Sequence, residues 1–232
     1  MALATFYTPD LPEQATDIEL SKEESQHAVR VRRLVNQAPV RVFDGLGRVG
    51  FGKLLVLERA QARVQIDSLE RIDAAKPLCV ASALPKGDRQ RVMIDALCQL
   101  GVSHFVPLEC ERSIVKYQDK MALKWRRYAI EACKQSQNPF LIQCAEPLSI
   151  ATLLELHQDC YYLDQAGPSM SSIEFSQELQ TTLIVGPEGG FSDLEINALQ
   201  SKAKGRINLG PHILRTELAA IIGAGLLHTK IM

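Results

Sequence analysis

Residues 186–195 read GPEGGFSDLE and follow the apolar run TTLIV at residues 181–185. A glycine-rich turn between a strand and a helix is where many α/β enzymes hold a ligand, because backbone N–H groups can approach an anion at the positive end of the helix. The residue types narrow which ligand. A phosphate loop of the Walker kind places a lysine and a hydroxyl directly after its last glycine, whereas Phe191 and Ser192 follow Gly190. The dinucleotide pattern needs glycines at its first, third and sixth places, whereas Pro187, Glu188 and a glycine pair follow Gly186. Glu188 would repel a phosphate. Ser192 with Glu195 forms a capping box, and Phe191 with Ile196 the flanking hydrophobic staple. The helix therefore caps itself, a gain of about 1 kcal/mol. What remains is the backbone of residues 186–190, stiffened by Pro187 and left open by the glycines. That suits a neutral or cationic ligand gripped by main-chain atoms. A plain strand-to-helix turn explains the segment equally well when it is read alone.

The elements around this loop fall into two patterns. Up to residue 72 the signals are short strands and one helix: ATFYT, then a capping box at Ser21-Lys22-Glu23-Glu24 opening a helix through SQHAVRVRRLV. VRVFDG, GRVGFGKLLVLE and ARVQIDSLE follow, and their Val, Ile and Phe content with the Asp44-Gly45 turn predicts a β meander or small barrel. RIDAAKP reads as a linker. Beyond it LCVASAL, HFVPLEC, CYYLD, TTLIV and RINL alternate with helical segments, which predicts a mostly parallel sheet covered on both faces. The last helix, Glu217 to Thr229, carries one charge in its first turn and none thereafter, so it is expected to be buried on all sides. Its glycines cost about 1 kcal/mol each in helix propensity, which close packing inside the monomer or at a subunit interface must offset.

The chain has 232 residues, 46% hydrophobic and 23% charged, an ordinary globular composition with room for one large or two small domains. No apolar run approaches the ~18 residues of a membrane span, and the amino terminus has no basic start or long apolar stretch. A cytoplasmic protein with no membrane partner is expected. Six cysteines are scattered without Cys-x-x-Cys pairs or histidines at ligand spacing, so no metal site is expected and reduced core residues are. The formal net charge of −1 conceals segregation. Residues 25–64 carry eight Lys or Arg against two acids, residues 112–134 seven against two, and residues 145–200 nine acids and no base. Two basic segments in an otherwise acidic chain point to a polyanion-binding face.

Some twenty residues after the first glycine loop stands INLGPHILRTELAA, a second strand, glycine loop and helix start. The ordered pair of loops resembles the closing motifs of the RsmE family, methyltransferases that modify N3 of a uridine in 16S ribosomal RNA. The likeness extends back through LPKGDR, LGVSHFVPLECERSIV and KWRRYAIEACKQS to VFDGLGR, and so covers most of the chain. Departures from the family pattern lie at Thr5, Ala38-Pro39, Arg91, Cys98-Gln99, Gln137-Asn138, His212 and Leu218. The donor motifs are better kept than the RNA face.

The resemblance implies an α/β SPOUT-type methyltransferase domain over residues 73–232 with a deep trefoil knot at its carboxyl end, behind a PUA-like β-barrel RNA-binding domain over residues 1–72, working as a homodimer. It implies S-adenosylmethionine as cofactor, held by Leu163, Val185, Gly186, Pro187, Glu188, Gly189, Gly190, Leu209, Gly210, Ile213, Leu214, Arg215 and Thr216. A cationic sulfonium would explain a glutamate and no lysine in the first loop. Arg215 and Glu217 are the implied catalytic residues, Arg215 stabilising charge on the uracil carbonyls. A structural ion pair of Arg215 with Glu217 or Glu188 is the competing role. Arg30, Arg32, Arg33, Arg41, Arg48, Lys86 and Arg89 are the implied RNA contacts, holding phosphates without reading sequence. The partner would be small-subunit ribosomal RNA, bare or in an assembled particle. A methyltransferase of another RNA and an inactive RNA-binding relative are the alternatives. A Rossmann enzyme is disfavoured by the absence of a glycine fingerprint near a first strand.

Overall fold

The structure is a computed structural model and describes residues 3–57, 61–176 and 178–231. The chain divides into two compact units, one running up to Ala74 and taking in Cys133–Leu141, the other made of Ala75–Ala132 and the segment from Ile142 onward.

The first unit is built on a five-stranded sheet. Its strands are β1 (Ala4–Tyr7), β2 (Asp17–Glu19), β3 (Pro39–Phe43), β4 (Arg48–Val56) and β5 (Ala62–Arg71), in the order β1-β3-β4-β5-β2. β1 runs parallel to β3, and the other pairings are antiparallel. In β5 Ala62, Val64 and Ile66 are buried while Arg63, Gln65 and Asp67 are exposed, the period of a half-buried strand. With Phe6, Val40, Val42 and Leu54 they make this unit's core. The β3–β4 turn is tied by Asp44, whose carboxylate accepts the N–H groups of Leu46 (2.7 Å) and Arg48 (3.0 Å).

The helix expected after Ser21 is short. α1 (Lys22–Gln26) passes into a π-helical turn at His27–Val31. Ser21 caps it, accepting from the Glu24 N–H at 3.2 Å, but Glu24 does not complete the box. Its carboxylate is buried against Lys134, whose Nζ lies 2.9 and 3.0 Å from the two oxygens and 2.9 Å from His27 Nδ1. A charge-assisted pair out of water outweighs a local cap.

The second unit carries a six-stranded sheet in which every pairing is parallel. It comprises β6 (Leu78–Ser82), β7 (His104–Pro107), β8 (Gln143–Cys144), β9 (Asp159–Leu163), β10 (Thr181–Val185) and β11 (Gly205–Ile207), ordered β11-β9-β10-β6-β7-β8. β6 and β10 are buried at every position, as central strands covered on both faces must be. The helices are α2 (Arg89–Gln99), α3 (Lys120–Ser136, whose end from Cys133 belongs to the first unit), α4 (Ile150–Leu156), α5 (Asp193–Lys202) and α6 (Thr216–Ile231). α6 packs on α2, β6 and β10. A Cβ on Gly223 would come within 2.6 Å of Leu183, so a glycine lets the helix lie directly on β10.

α6 is not buried on all sides. Leu218, Ile222 and Leu226 are 43%, 39% and 44% exposed, one ridge at i, i+4 and i+8. A helix apolar all round gives no sequence signal for which face its own chain covers. The six cysteines are thiols rather than disulfides, and burial pushes those of Cys79, Cys110, Cys144 and Cys160 up to about 12. Among the described residues no helix is long and apolar enough to cross a membrane, and no cluster of His, Cys, Asp or Glu could hold a metal ion.

Candidate active site

β11, β9 and β10 are neighbours, and their carboxyl ends deliver the loops after Leu163, Val185 and Ile207 to one edge of the sheet. Such an edge is where open parallel sheets hold ligands. The loops surround a cleft of about 1090 Å³. All thirteen residues implied for the cofactor line it: Leu163, Val185, Gly186, Pro187, Glu188, Gly189, Gly190, Leu209, Gly210, Ile213, Leu214, Arg215 and Thr216. Tyr162, Asp164, Gln165, Asn208 and His212 line it as well. Sequence reading missed these, although each adjoins a glycine loop or a strand end.

The loops are held by their own chain. Ser192 and Glu195 form the full capping box, with Ser192 N–H to Glu195 Oε2 at 2.7 Å and Glu195 N–H to Ser192 Oγ at 3.4 Å. The other Glu195 oxygen accepts the Glu111 N–H at 2.8 Å. Arg112 Nη1 donates to the Phe191 carbonyl at 3.0 Å, so this guanidinium braces the first loop. In the other loop Asn208 Oδ1 accepts the Gly210 N–H at 2.6 Å, and the Asn208 side chain donates to the Gln165 carbonyl at 2.6 Å. Gly210 has φ +140°, and no atom lies within 4 Å of the place its Cβ would occupy. A side chain there is strained in the backbone and would project into open space. Thr216 Oγ1 donates to the Gly186 carbonyl at 3.2 Å, joining the two loops.

Arg89, implied as an RNA contact, instead lines the cleft and spans two carboxylates. Its Nη1 is 2.5 Å from Glu188 Oε1 and 3.8 Å from Glu217 Oε2. Glu217 is only 4% exposed, and its Oε2 has no hydrogen bond among the described residues. The start of α6 also favours a carboxylate at that position. Arg215 is exposed, lines the cleft and makes no ion pair among the described residues. The competing structural role for Arg215 is therefore filled by Arg89, at the start of α2.

The implied RNA contacts of the first unit separate into two sets. Arg30, Arg32 and Arg33 are exposed at and just after the π-helical turn. Arg41 is a correction: it is 5% exposed, its Nη2 donates to the Gln137 carbonyl at 3.0 Å, and burial lowers its pKa. Arg48 is also engaged, donating to the Leu11 carbonyl at 3.0 Å and lying 3.6 Å from Asp44. Lys86 is exposed.

Residues 73–228 match the model of the RNA methyltransferase domain family. The ribosomal RNA small subunit methyltransferase E of Mycobacterium bovis is 27% identical over 97% of this chain and 91% of its own length. That of Synechocystis is 28% identical over 96% of this chain and 76% of its own. A methyltransferase structure from Legionella pneumophila, solved with bound cofactor SAM, superposes with a TM-score of 0.88 at 27% identity, over 99% of this chain and 98% of that one. With the match covering both glycine loops and the strands that carry them, the chain belongs to the RNA methyltransferase family.

Proposed function

We propose that this protein transfers the methyl group of S-adenosylmethionine to N3 of a uridine in small-subunit ribosomal RNA. The observation that carries the reading is the cleft at the ends of β9, β10 and β11, where main-chain atoms of two glycine loops face a space beside Glu188 and Arg215. The loops lack the lysine a phosphate would need and keep open backbone at Gly190 and Gly210, which fits a cationic nucleoside. The M. bovis and Synechocystis relatives are named for the small-subunit RNA, and the Legionella structure contains SAM, which supports substrate and cofactor alike. The PUA-like reading of the first unit is supported by its five-stranded, mostly antiparallel sheet. The knotted reading of the carboxyl end is supported by the path of the chain, which crosses from β10 past β9 to β11 and returns so that α6 packs on β10 and β6.

S-adenosylmethionine supplies an electrophilic methyl group on a sulfonium. The backbone of residues 186–190 and 209–214 would hold the adenosine, and Glu188 would complement the positive charge. The uridine must be unpaired or flipped, because N3 of a paired base is blocked by its own proton and partner. As N3 loses its proton to a base or solvent, charge spreads onto the uracil carbonyls. The exposed Arg215 guanidinium, free of ion pairs among the described residues, stabilises that charge. Glu217 is held beside Arg89 at the start of the same helix. Transfer of the methyl group leaves a neutral thioether, and Glu188 keeps its ion pair with Arg89.

The exposed ridge Leu218, Ile222 and Leu226 fits a second copy of the chain, and sedimentation of the purified protein tests that dimer. Ribosomal RNA as substrate also sets the cytoplasm as the working compartment. Calorimetry with S-adenosylmethionine tests the cofactor reading: the parent binds, and a folded Gly210→Val variant loses at least tenfold in affinity. Equal affinity of the two would overturn it.

A further inference from the structure

The basic segment over residues 112–134 is only partly used by the contacts described above. Arg112 braces the first glycine loop, Lys134 is buried with Glu24, and Lys116 reaches the Cys110 carbonyl. Lys120, Lys124 and Arg127 remain exposed at i, i+4 and i+7 of α3, one stripe of one helix. On α2 Arg91 is exposed and points at the same place. Its guanidinium carbon lies 5.3 Å from the centre of the Tyr128 ring, and Lys124 Nζ lies 5.8 Å from that centre. Trp125 fixes the two helices together through a 3.3 Å hydrogen bond to Gln90. Among the described residues none of these four cations makes an ion pair. The carboxylates on the two helices, Asp95 on α2 and Glu131 on α3, stand one turn beyond Arg91 and Arg127.

Like charges spaced this way on a helix repel, and two cations sharing one aromatic ring repel further. A partner that brings negative charge at regular intervals relieves both. Cation–π contact orders Arg91 and Lys124 beforehand, which lowers the entropic cost of engaging a phosphate. We propose that Arg91, Lys124, Arg127 and the Tyr128 ring form a second RNA-binding surface, on the catalytic unit, that holds the phosphate backbone of the substrate. This rests on the function proposed above and adds where the second unit grips its RNA. With the whole chain near neutrality, at a formal net charge of −1, binding must come from local surfaces such as this one.

The test uses the full chain and a 16S ribosomal RNA transcript in filter binding across a salt series. The exposed positions allow a triple Arg91→Gln, Lys124→Gln, Arg127→Gln variant without disturbing a core. It should lower the log-log salt slope by roughly 0.7 to 0.9 for each phosphate no longer engaged, with affinity for S-adenosylmethionine by calorimetry unchanged. Tyr128→Leu, which keeps the charges but removes the ring, should weaken RNA binding severalfold while leaving most of the slope. A parent that binds and methylates RNA beside a triple variant with the full slope would overturn this surface alone. A parent that binds no RNA at any salt would overturn it together with the proposed function. An unchanged slope with altered sedimentation would assign the patch to a second copy of the chain instead, and so also overturn it.

Discussion

The Thr216 hydroxyl donates a 3.2 Å hydrogen bond to the Gly186 carbonyl, fastening the first residue of α6 to the first residue after β10. Thr216 is buried, and the bond makes one scaffold of the two glycine loops that line the cleft. Replacing Thr216 with Val keeps the shape and leaves the carbonyl without its partner, a cost of about 1 to 3 kcal/mol. Thermal melting should fall accordingly, S-adenosylmethionine affinity should drop with it, and Thr216→Ser should restore both. A valine variant with parental affinity would separate the loop contact from binding.

Arg215 and Arg89 stand at the same cleft and should fail differently. Arg215 is exposed and without an ion pair among the described residues, so Arg215→Gln should leave melting intact. Single-turnover methyl transfer should fall by about 10²-fold, the scale of losing one donor to developing negative charge. Arg89→Gln removes the cation from Glu188 and from the buried Glu217, so it should lower the melting temperature by several degrees. Equal losses in stability for both variants would argue that Arg215 is structural.

In the first unit, neutralising Arg30, Arg32 and Arg33 should reduce the salt slope of RNA binding by roughly 0.7 to 0.9 per phosphate released. Arg41→Met should not change the slope, because that guanidinium is buried at the Gln137 carbonyl. A reduced slope in the Arg41 variant with no loss of stability would return this residue to the RNA face.

Burial lowers the pKa of both His104 and His157, and for His157 the charge of His104 adds to the effect. Each ring accepts or shares a hydrogen bond, His104 with Gln180 at 2.9 Å and His157 with Thr182 at 2.9 Å. Below about pH 6.5 the unfolded chain therefore binds more protons than the folded one, and stability falls as pH falls. Melting followed from pH 8 to 5.5 should show this decline, and His104→Gln should flatten it. A pH-independent melting temperature over that window would remove the two histidines from the account.

Much of the site was legible because its signals are local. The capping box at Ser192 and Glu195, the missing lysine after Gly190 and the strand ends before each glycine loop lie within a few residues of one another. What escaped depends on distant partners. Glu24 has the spacing of a cap box, and only the fold brings Lys134 to its carboxylate. Arg41 reads like its neighbouring arginines until β3 turns it inward against Gln137. Arg89 reads as a surface cation beside Lys86 until the second unit closes Glu188 onto it. On α6 an apolar residue at every face conceals that Leu218, Ile222 and Leu226 stay outside. Side-chain direction in each case is set by tertiary contacts that periodicity does not encode.

The central claim is methyl transfer to N3 of a uridine in small-subunit ribosomal RNA, and nucleoside mass spectrometry of that RNA measures it directly. Unmethylated small subunits or their RNA, incubated with the purified protein and S-adenosylmethionine carrying a labelled methyl group, should yield labelled 3-methyluridine. The Arg215→Gln variant should yield about a hundredfold less at early times. Label in any other nucleoside, or none with either substrate while the protein binds S-adenosylmethionine, would contradict the account.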